Sequence, residues 1–324
     1  MPKFSIVIPC YNSFKFMDKC LETLENQTFT DFEVILIDDF STDDTFENLD
    51  KYVKTSKLNI KLLKNVQNLG PGKTRNIGIE NSEGTYITFI DADDYIEKDT
   101  LEILNNIIEK EKVDCVIYDY YYKTTNNKVE QKTLLKGNSG IVEKKDALIY
   151  TTGSTWCKVY LLEKIKENKI EFPDLKRNED MVFNKLAISV CDKIYYCDKN
   201  LYNYINTEGS LVNTPKFLDE NNQIIGFEII EKRLKDKYQN ELEAIFLKEF
   251  LYAVIMNMII LKRDKKNILK KIKDAEIKYP NIYKNESIKY LKTYQKICLI
   301  FIKHKWIFGL KVCVKAKKII QKVR

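Results

Sequence analysis

Three aspartates in the run Asp91-Ala92-Asp93-Asp94 follow directly on the apolar segment Tyr86-Ile87-Thr88-Phe89-Ile90. In an extended chain, residues two apart point to one side, so Asp91 and Asp93 are expected to converge on one site. Two carboxylates at a strand end repel each other, and a divalent cation is the usual remedy. Hard oxygen donors suit Mg2+ or Mn2+, which keep positions open for phosphate oxygens. The plainer reading is an acidic cap on the following helix. A second pair, Asp38-Asp39, ends another apolar run and reads as part of the same anionic edge or as a solvated turn. Asn178-Glu179-Asp180 precedes the helical apolar pattern of Met181, Val182, Phe183, Leu186 and Ala187. It makes a favourable helix start. It also offers a carboxylate far in sequence from the first cluster, free to take a proton as a general base.

The segment from Asn68 through Gly70-Pro71-Gly72-Lys73-Thr74-Arg75-Asn76 is glycine-rich, basic and placed at a helix start, which suits an anion. Gly72-Lys73-Thr74 fits the end of a Walker loop, but the first glycine of that motif would fall at Gln67, so the match fails. No G-x-G-x-x-G follows the first strand, which argues against a dinucleotide site. Arginine is scarce: of 54 basic residues five are Arg, and only Arg75 and Arg177 precede residue 230. The planar guanidinium fork is hard to replace where a phosphate or base edge is gripped, although buried ion pairs use it as well.

What the chain lacks narrows its chemistry. The single histidine, His304, leaves residues 1–303 without imidazole, which removes Ser-His-Asp and Cys-His hydrolysis and nearly all catalytic zinc sites. Acid, base and metal work fall to carboxylates. The eight cysteines form no C-x-x-C pair and read as small buried hydrophobes in a reducing cytosol. The longest apolar run, residues 250–261, is too short to span a bilayer and reads as a core helix. No signal peptide is expected at the N-terminus. Charge is uneven: residues 285–324 carry ten Lys and one Arg against Glu286 alone, while residues 1–284 hold 43 basic and 46 acidic side chains. This argues against a nucleic-acid-binding body and for a local contact between the tail and an anionic surface.

The elements that must position these residues alternate over the first 125. Strands are expected at 4–8, 32–37, 59–63, 86–90 and 113–122. Helices fall between them, one carrying Phe16, Cys20, Leu21 and Leu24, others opening near Ser41, Gly70 and Asp99. Repeated β-α-β units imply an α/β fold with a mainly parallel sheet, whose ligands bind at the carboxyl ends of its strands. From 126 to 206 the pattern is mixed: a turn at Asn126-Asn127, helices at 156–165 and 181–190, short strands at 193–197 and 202–205. Beyond Pro215 the pattern is helical, at 217–237, 240–262, 265–278 and 287–323. The expected organisation is one domain over 1–214, alternating to about 125 and mixed from 126, and then a helical region over 215–324.

Five motifs now stand in order: Ser5-Ile6-Val7-Ile8-Pro9-Cys10-Tyr11-Asn12, Ile37-Asp38-Asp39-Phe40-Ser41-Thr42-Asp43, Asn68-x-Gly70 through Arg75-Asn76-x-Gly78, Asp91-Ala92-Asp93-Asp94, and Glu179-Asp180. Together, over roughly residues 3–206, they resemble the family 2 inverting glycosyltransferases of the GT-A fold, which implies that 1–214 is a catalytic domain with a nucleotide-binding half to about 125 and an acceptor half from 126. The resemblance implies a UDP-sugar donor, with Pro9, Tyr11 and Asp39 holding the uridine, Tyr11 by stacking and Asp39 by accepting from the uracil N–H. Arg75 would contact the nucleotide. Asp91, with Ala92 beside it, would lie near the ribose, and Asp93 would bind the Mn2+ or Mg2+ that bridges the diphosphate. Asp180, with Glu179 beside it, would be the base in a single in-line displacement by an acceptor hydroxyl. The segment Trp156-Cys157-Lys158-Val159-Tyr160 resembles one found in bacterial members, and Trp156 would border the sugar or acceptor pocket, with core packing as its alternative. Phe40 stands where glycine is common and crowds the turn after Asp39.

The tail lies outside that resemblance. It alternates Lys with short apolar clusters that include Trp306 and Phe308. This fits a peripheral anchor on the anionic inner face of the cell membrane, where a lipid-linked glycan acceptor would be met; the alternative is a helix packed on its own body. The reading is therefore a metal-dependent transferase of bacterial surface-polysaccharide synthesis. Its rivals are a sugar nucleotidyltransferase, whose phosphate loop normally follows the first strand and not the third, and a non-catalytic membrane-docking scaffold.

Overall fold

The computed structural model describes residues 1–124, 127–134, 138–206 and 220–323. The chain forms two compact units, Met1–Ser210 and Leu211–Arg324. The expected boundary at 215 and the first residues of the helix expected from 217 lie outside the described residues, as does Asn126 of the expected turn.

In the first unit, β1 (Phe4–Cys10), β2 (Phe32–Asp38), β3 (Ile60–Lys64) and β4 (Tyr86–Phe89) pair in the order β3-β2-β1-β4, all parallel. β1 and β2 are buried almost throughout because helices cover both faces, which is why they read as continuous apolar runs. The connecting helices are α1 (Asp18–Glu25), α2 (Thr45–Thr55) and α3 (Pro71–Asn81). β3 forms the edge and carries Lys61 and Lys64, which discourage further pairing.

Beyond β4 the sheet is mixed. After β5 (Tyr95–Ile96) and α4 (Thr100–Glu111) come β6 (Cys115–Lys123), β7 (Lys128–Gln131), β8 (Gly140–Val142) and α5 (Lys144–Tyr150). The helix expected over 156–165 is instead β9 (Lys158–Leu161) followed by α6 (Leu162–Glu167). β9 lies antiparallel between β4 and β6 and satisfies the backbone groups of both, and its Val-Tyr core suits a pleated surface. α7 (Glu179–Val190) leads to β10 (Ile194–Ile205), one strand with two register shifts where two short ones were expected. β10 pairs in parallel with β6 and antiparallel with β5 and β8.

Close packing of α3 on the sheet explains one motif position. A Cβ at Gly78 would sit 2.2 Å from Val7 Cγ1 and 3.1 Å from Ile37 Cδ1. Gly78→Ala is therefore expected to push α3 off β1 and β2 and to cost about 1–3 kcal/mol of stability, the usual range for overpacking. Thermal unfolding would read this as a drop of several degrees, and an unchanged midpoint would refute the packing argument.

In the second unit α8 (Glu220–Leu234), α9 (Gln239–Ile245), a π-helical turn at Phe246–Leu251, α10 (Tyr252–Ile260) and α11 (Lys265–Lys278) precede α12 (Thr293–Lys303) and α13 (Ile307–Val323). The apolar run at 250–261 is a core helix, with Phe250, Ile255 and Ile259 buried. No helix among the described residues is long and apolar enough to cross a membrane. The tail is not the single helix expected over 287–323. It breaks between α12 and α13, where Lys305 adopts φ +55°, and it packs Cys298, Leu299, Ile302, Ile307 and Leu310 into the core of its own unit. The cysteines are all free thiols, buried except for Cys313.

Candidate active site

The carboxyl ends of β1, β2 and β3 lead into three turns that carry left-handed backbone. Asn12 (φ +49°), Phe40 (φ +62°) and Gly70 (φ +82°) lie there, and Asn178 (φ +68°) precedes α7. The φ of Phe40 explains why glycine suits that position, and the ring stays half exposed. Such outliers concentrate at functional sites. Asn12 ties the first two turns together: its Oδ1 accepts from Thr42 N at 2.9 Å, and its own N–H donates to Ser41 Oγ.

Asp39 is almost wholly buried and acts on the backbone of the third turn. Its Oδ1 accepts from Leu69 N and Asn65 Nδ2, both at 2.8 Å, and its Oδ2 accepts from Gly70 N at 2.8 Å. A carboxylate oxygen has two lone pairs, so Oδ2 retains capacity for one more donor. Asp38 is fully buried, takes Ser41 N on Oδ2, and leaves Oδ1 without a partner among the described residues. Burial, with Asp38 nearby, pushes the Cys10 thiol up to about 12, so it stays protonated. Pro9 is half-buried, and Tyr11 is 48% exposed at the mouth of this edge.

β4 ends at Phe89, and Asp91–Asp94 form a tight turn closed by Asp94 N donating to Asp91 O. The strand alternation expected for Asp91 and Asp93 therefore does not govern their directions. Asp91 turns to Arg75, whose Nη2 donates to its Oδ1 at 2.6 Å. Asp94 turns inward and accepts from Tyr202 Oη and Ile205 N, both at 2.7 Å. Burial, then the charges of Asp91 and Asp93, hold the Asp94 carboxyl well above the usual carboxylate range. Asp93 stays half-exposed beside Ala92, which is buried.

Arg75 joins the Asp91–Asp94 turn to the Glu179-Asp180 motif. While Nη2 holds Asp91, Nη1 donates to Asp180 Oδ1 at 3.0 Å and lies 3.9 Å from Glu179 Oε1, and the guanidinium sits over the Phe172 ring. Burial opposes its charge, but Asp180, Asp91 and Glu179 hold its pKa above the ordinary value. The arginine expected to grip the nucleotide is thus paired within the protein. Arg177, half-buried, leaves its Nη1 without a partner among the described residues. Burial pushes the Asp180 carboxyl up to about 7 against the pull of Arg75 and Lys158, with Glu179 and Asp91 adding to the rise. Asp180 keeps 27% of its side-chain surface open. Glu179 is raised by burial as well.

Three carboxylates (Asp91, Glu179 and Asp180) thus gather around the Arg75 guanidinium. No three His, Cys, Asp or Glu side chains converge as a cage for a metal among the described residues. Half-exposed Asp93 still fits a hard divalent ion taken up together with a diphosphate, since Mg2+-type sites commonly use one or two carboxylates plus phosphate oxygens.

Two lysines near the site were given no role in the sequence. Lys158 and Lys185 are fully buried and donate to loop carbonyls, Lys158 to Thr152 O and Ser154 O, Lys185 to Leu148 O and Thr151 O. With Asn184, which bonds Gly153 O, they hold the loop that carries Trp156. A lysine inside an otherwise apolar run was the available signal. Trp156 itself is only 7% exposed and stacked on Tyr202 at 4.4 Å.

A parallel first half, an Asp91-x-Asp93 turn at its carboxyl edge and an acidic helix start facing that turn define a transferase of the GT-A type. The chain belongs to glycosyl transferase family 2, whose model matches residues 5–168. Among its relatives, the poly(ribitol-phosphate) beta-N-acetylglucosaminyltransferase TarS of Staphylococcus aureus is 33% identical over 257 residues, 76% of this chain and 44% of that protein. The poly(ribitol-phosphate) beta-glucosyltransferase of Bacillus spizizenii is 34% identical over 212 residues, 64% of this chain and 33% of that protein. The chain therefore spans less than half the length of these two relatives. The S. aureus TarS 1–349 structure in complex with UDP superposes with a TM-score of 0.70 at 25% identity, over 98% of this chain and 91% of that one. The UDP-GlcNAc complex of the same fragment gives 0.69 at 27% identity over the same shares.

Proposed function

We propose that this chain is an inverting glycosyltransferase that moves a hexosyl or N-acetylhexosaminyl unit from a UDP-sugar to a hydroxyl of a glycan or lipid-linked glycan in bacterial cell-surface polysaccharide synthesis. The observation that carries the reading is the Asp91–Arg75–Asp180 bridge, which brings a partly open carboxyl near neutrality to the edge expected to hold the donor. The S. aureus relative solved with UDP and UDP-GlcNAc supports the donor class. Asp180 takes the proton of the acceptor hydroxyl as its oxygen attacks the anomeric carbon. The bond to UDP breaks on the opposite face, and the configuration inverts. Tyr11 and Asp39, through its spare Oδ2 lone pair, are assigned to uracil, Pro9 to the uridine, and Asp91 with Ala92 to the ribose. Arg75 is assigned to the nucleotide, and the open Nη1 of Arg177 is a further candidate donor for it. Asp93 would hold Mn2+ or Mg2+ with the diphosphate oxygens, and that ion supplies charge neutralisation for the departing UDP.

Calorimetric titration with UDP tests this directly. UDP is expected to bind at least tenfold more tightly with Mn2+ than with chelator, with the difference lost in Asp93→Ala. No UDP binding under either condition would sink the donor assignment.

The tail favours a peripheral place on the inner face of the cell membrane. Beside the face packed in its own core, the α12–α13 segment exposes Ile297, Ile300, Trp306, Phe308 and Val312 among lysines. Apolar and cationic groups side by side suit an anionic bilayer surface. The protein is expected to float with phosphatidylglycerol vesicles and not with phosphatidylcholine ones, and a Trp306→Glu, Phe308→Glu double variant should lose this. Equal behaviour of wild type and variant would refute it.

A further inference from the structure

The carboxyl ends of β6 and β10 carry aromatic residues at a spacing no motif explains. The two strands run parallel with Tyr120 opposite Tyr202 and Tyr122 opposite Tyr204. Alternation along a strand puts all four on one face. The rings are not packed edge to face throughout, as core aromatics often are. Tyr202 stacks on Trp156 (4.4 Å, 16°), Trp156 on Tyr204 (5.6 Å, 19°) and Tyr204 on Tyr122 (5.7 Å, 22°), while Tyr120 meets Trp156 edge-on at 4.7 Å. Burial falls along the row: Tyr202 is fully buried and Trp156 nearly so, whereas Tyr120, Tyr122 and Tyr204 are half-buried.

The inner end of the row is fastened to the catalytic turn. Tyr202 Oη donates to Asp94 Oδ2 at 2.7 Å and accepts from Asp91 N at 3.1 Å. Sheet order then assigns the row a side. The strands run β2-β1-β4-β9-β6-β10, so the ends of β1 and β2, with Tyr11 and Asp39, lie on one side of the Asp91–Asp94 turn and the aromatic row lies on the other.

Resting on the transferase reading above, we propose that Tyr120, Tyr122 and Tyr204 form the acceptor subsite, and that it takes a pyranose ring of a glycan and not an open-chain polyol phosphate. One face of a pyranose is a patch of C–H groups that gains by lying flat on an aromatic ring, while its hydroxyls stay at the rim. Flat stacked rings offer that surface. An extended, anionic polyol has no such face to match. Lys158 and Lys185, through the loop carbonyls, hold Trp156 as the rigid backing of the row.

The test uses saturation-transfer NMR on the full chain with UDP and Mn2+ present. The probes are tetrasaccharides of β-linked N-acetylglucosamine and of β-linked galactose, and a ribitol-phosphate tetramer. At least one tetrasaccharide is expected to show transfer to its ring C–H protons. Its Kd should rise about tenfold in Tyr122→Ala and Tyr204→Ala, which is the loss of one ring contact, while Tyr122→Phe keeps it. UDP binding measured on each variant reports that the fold and donor side are intact. Failure of the tetrasaccharides to bind, binding unchanged in both alanine variants, or binding of the ribitol-phosphate tetramer in their place would each overturn the proposal. Loss of UDP binding by the wild type would instead count against the transferase reading itself.

Discussion

Asp180→Asn should bind UDP within a few-fold of wild type yet transfer sugar about 10²- to 10⁴-fold more slowly, the range general-base removal commonly produces. Amide and carboxyl are nearly isosteric, so the variant keeps its place beside Arg75 while losing the ability to take a proton. The wild-type rate should rise as pH passes about 7, because only ionised Asp180 accepts the acceptor proton. Stability should move the other way. The folded state holds the Asp180 proton up to about 7, against an ordinary value of 3.8. This contribution is fully present below pH 4 and is lost as pH rises toward 7. Asp180→Asn, which removes an ionisation penalty, should therefore melt above wild type at pH 8, with the gap closing below pH 4. Melting curves at the two pH values check the sign. Full activity in the variant would move the base to another carboxylate, Glu179 first.

The second large effect is on folding. Arg75→Met should destabilise the protein by about 3–5 kcal/mol, since removing one partner of a buried ion pair leaves the other uncompensated. Here the abandoned groups are Asp91, Asp180 and Glu179, all within 4 Å of the guanidinium. Arg75→Lys should recover part of this, because an ammonium replaces the charge and cannot reproduce the fork that spans Asp91 and Asp180. Urea unfolding at pH 7 would read the ranking. A loss below about 1 kcal/mol in Arg75→Met would mean that water already screens the cluster.

The acidic motifs were legible because their chemistry is local: Asp91-x-Asp93 after an apolar strand and Glu179-Asp180 before an apolar helix each announce themselves within a few residues. What they do to one another was not. Arg75 and Asp180 are 105 positions apart, and only the packing of α3 and α7 at one sheet edge makes them partners. Arg75 read as a ligand for the nucleotide, and its pairing of Asp91 with Asp180 was not foreseen. The parallel strands of the first half were readable as apolar runs between helices. β9 was not, because Leu161, Leu162 and Ile165 also fit a helical spacing, and the pairing needs of β4 and β6 override that propensity. The break in the tail has no Gly or Pro to mark it: Lys305 takes the left-handed conformation so that α13 can put Ile307 and Leu310 into the core. The aromatic row was hidden for the same reason as the Arg75 bridge, since Tyr120, Tyr122, Trp156 and Tyr204 meet only once β6 and β10 lie side by side.

The chain has two tryptophans, and the fold gives them opposite surroundings: Trp156 lies under tyrosine rings in the first unit, and Trp306 stands half open among lysines in the second. Intrinsic emission from this protein is therefore the sum of a shielded indole and a wet one. Replacing Trp306 with phenylalanine isolates a fluorophore beside the aromatic row, whose light reports on whatever settles there. Replacing Trp156 isolates one that shifts to the blue when the tail meets lipid. A single untagged chain thus carries two optical probes, each assigned to a different question about it.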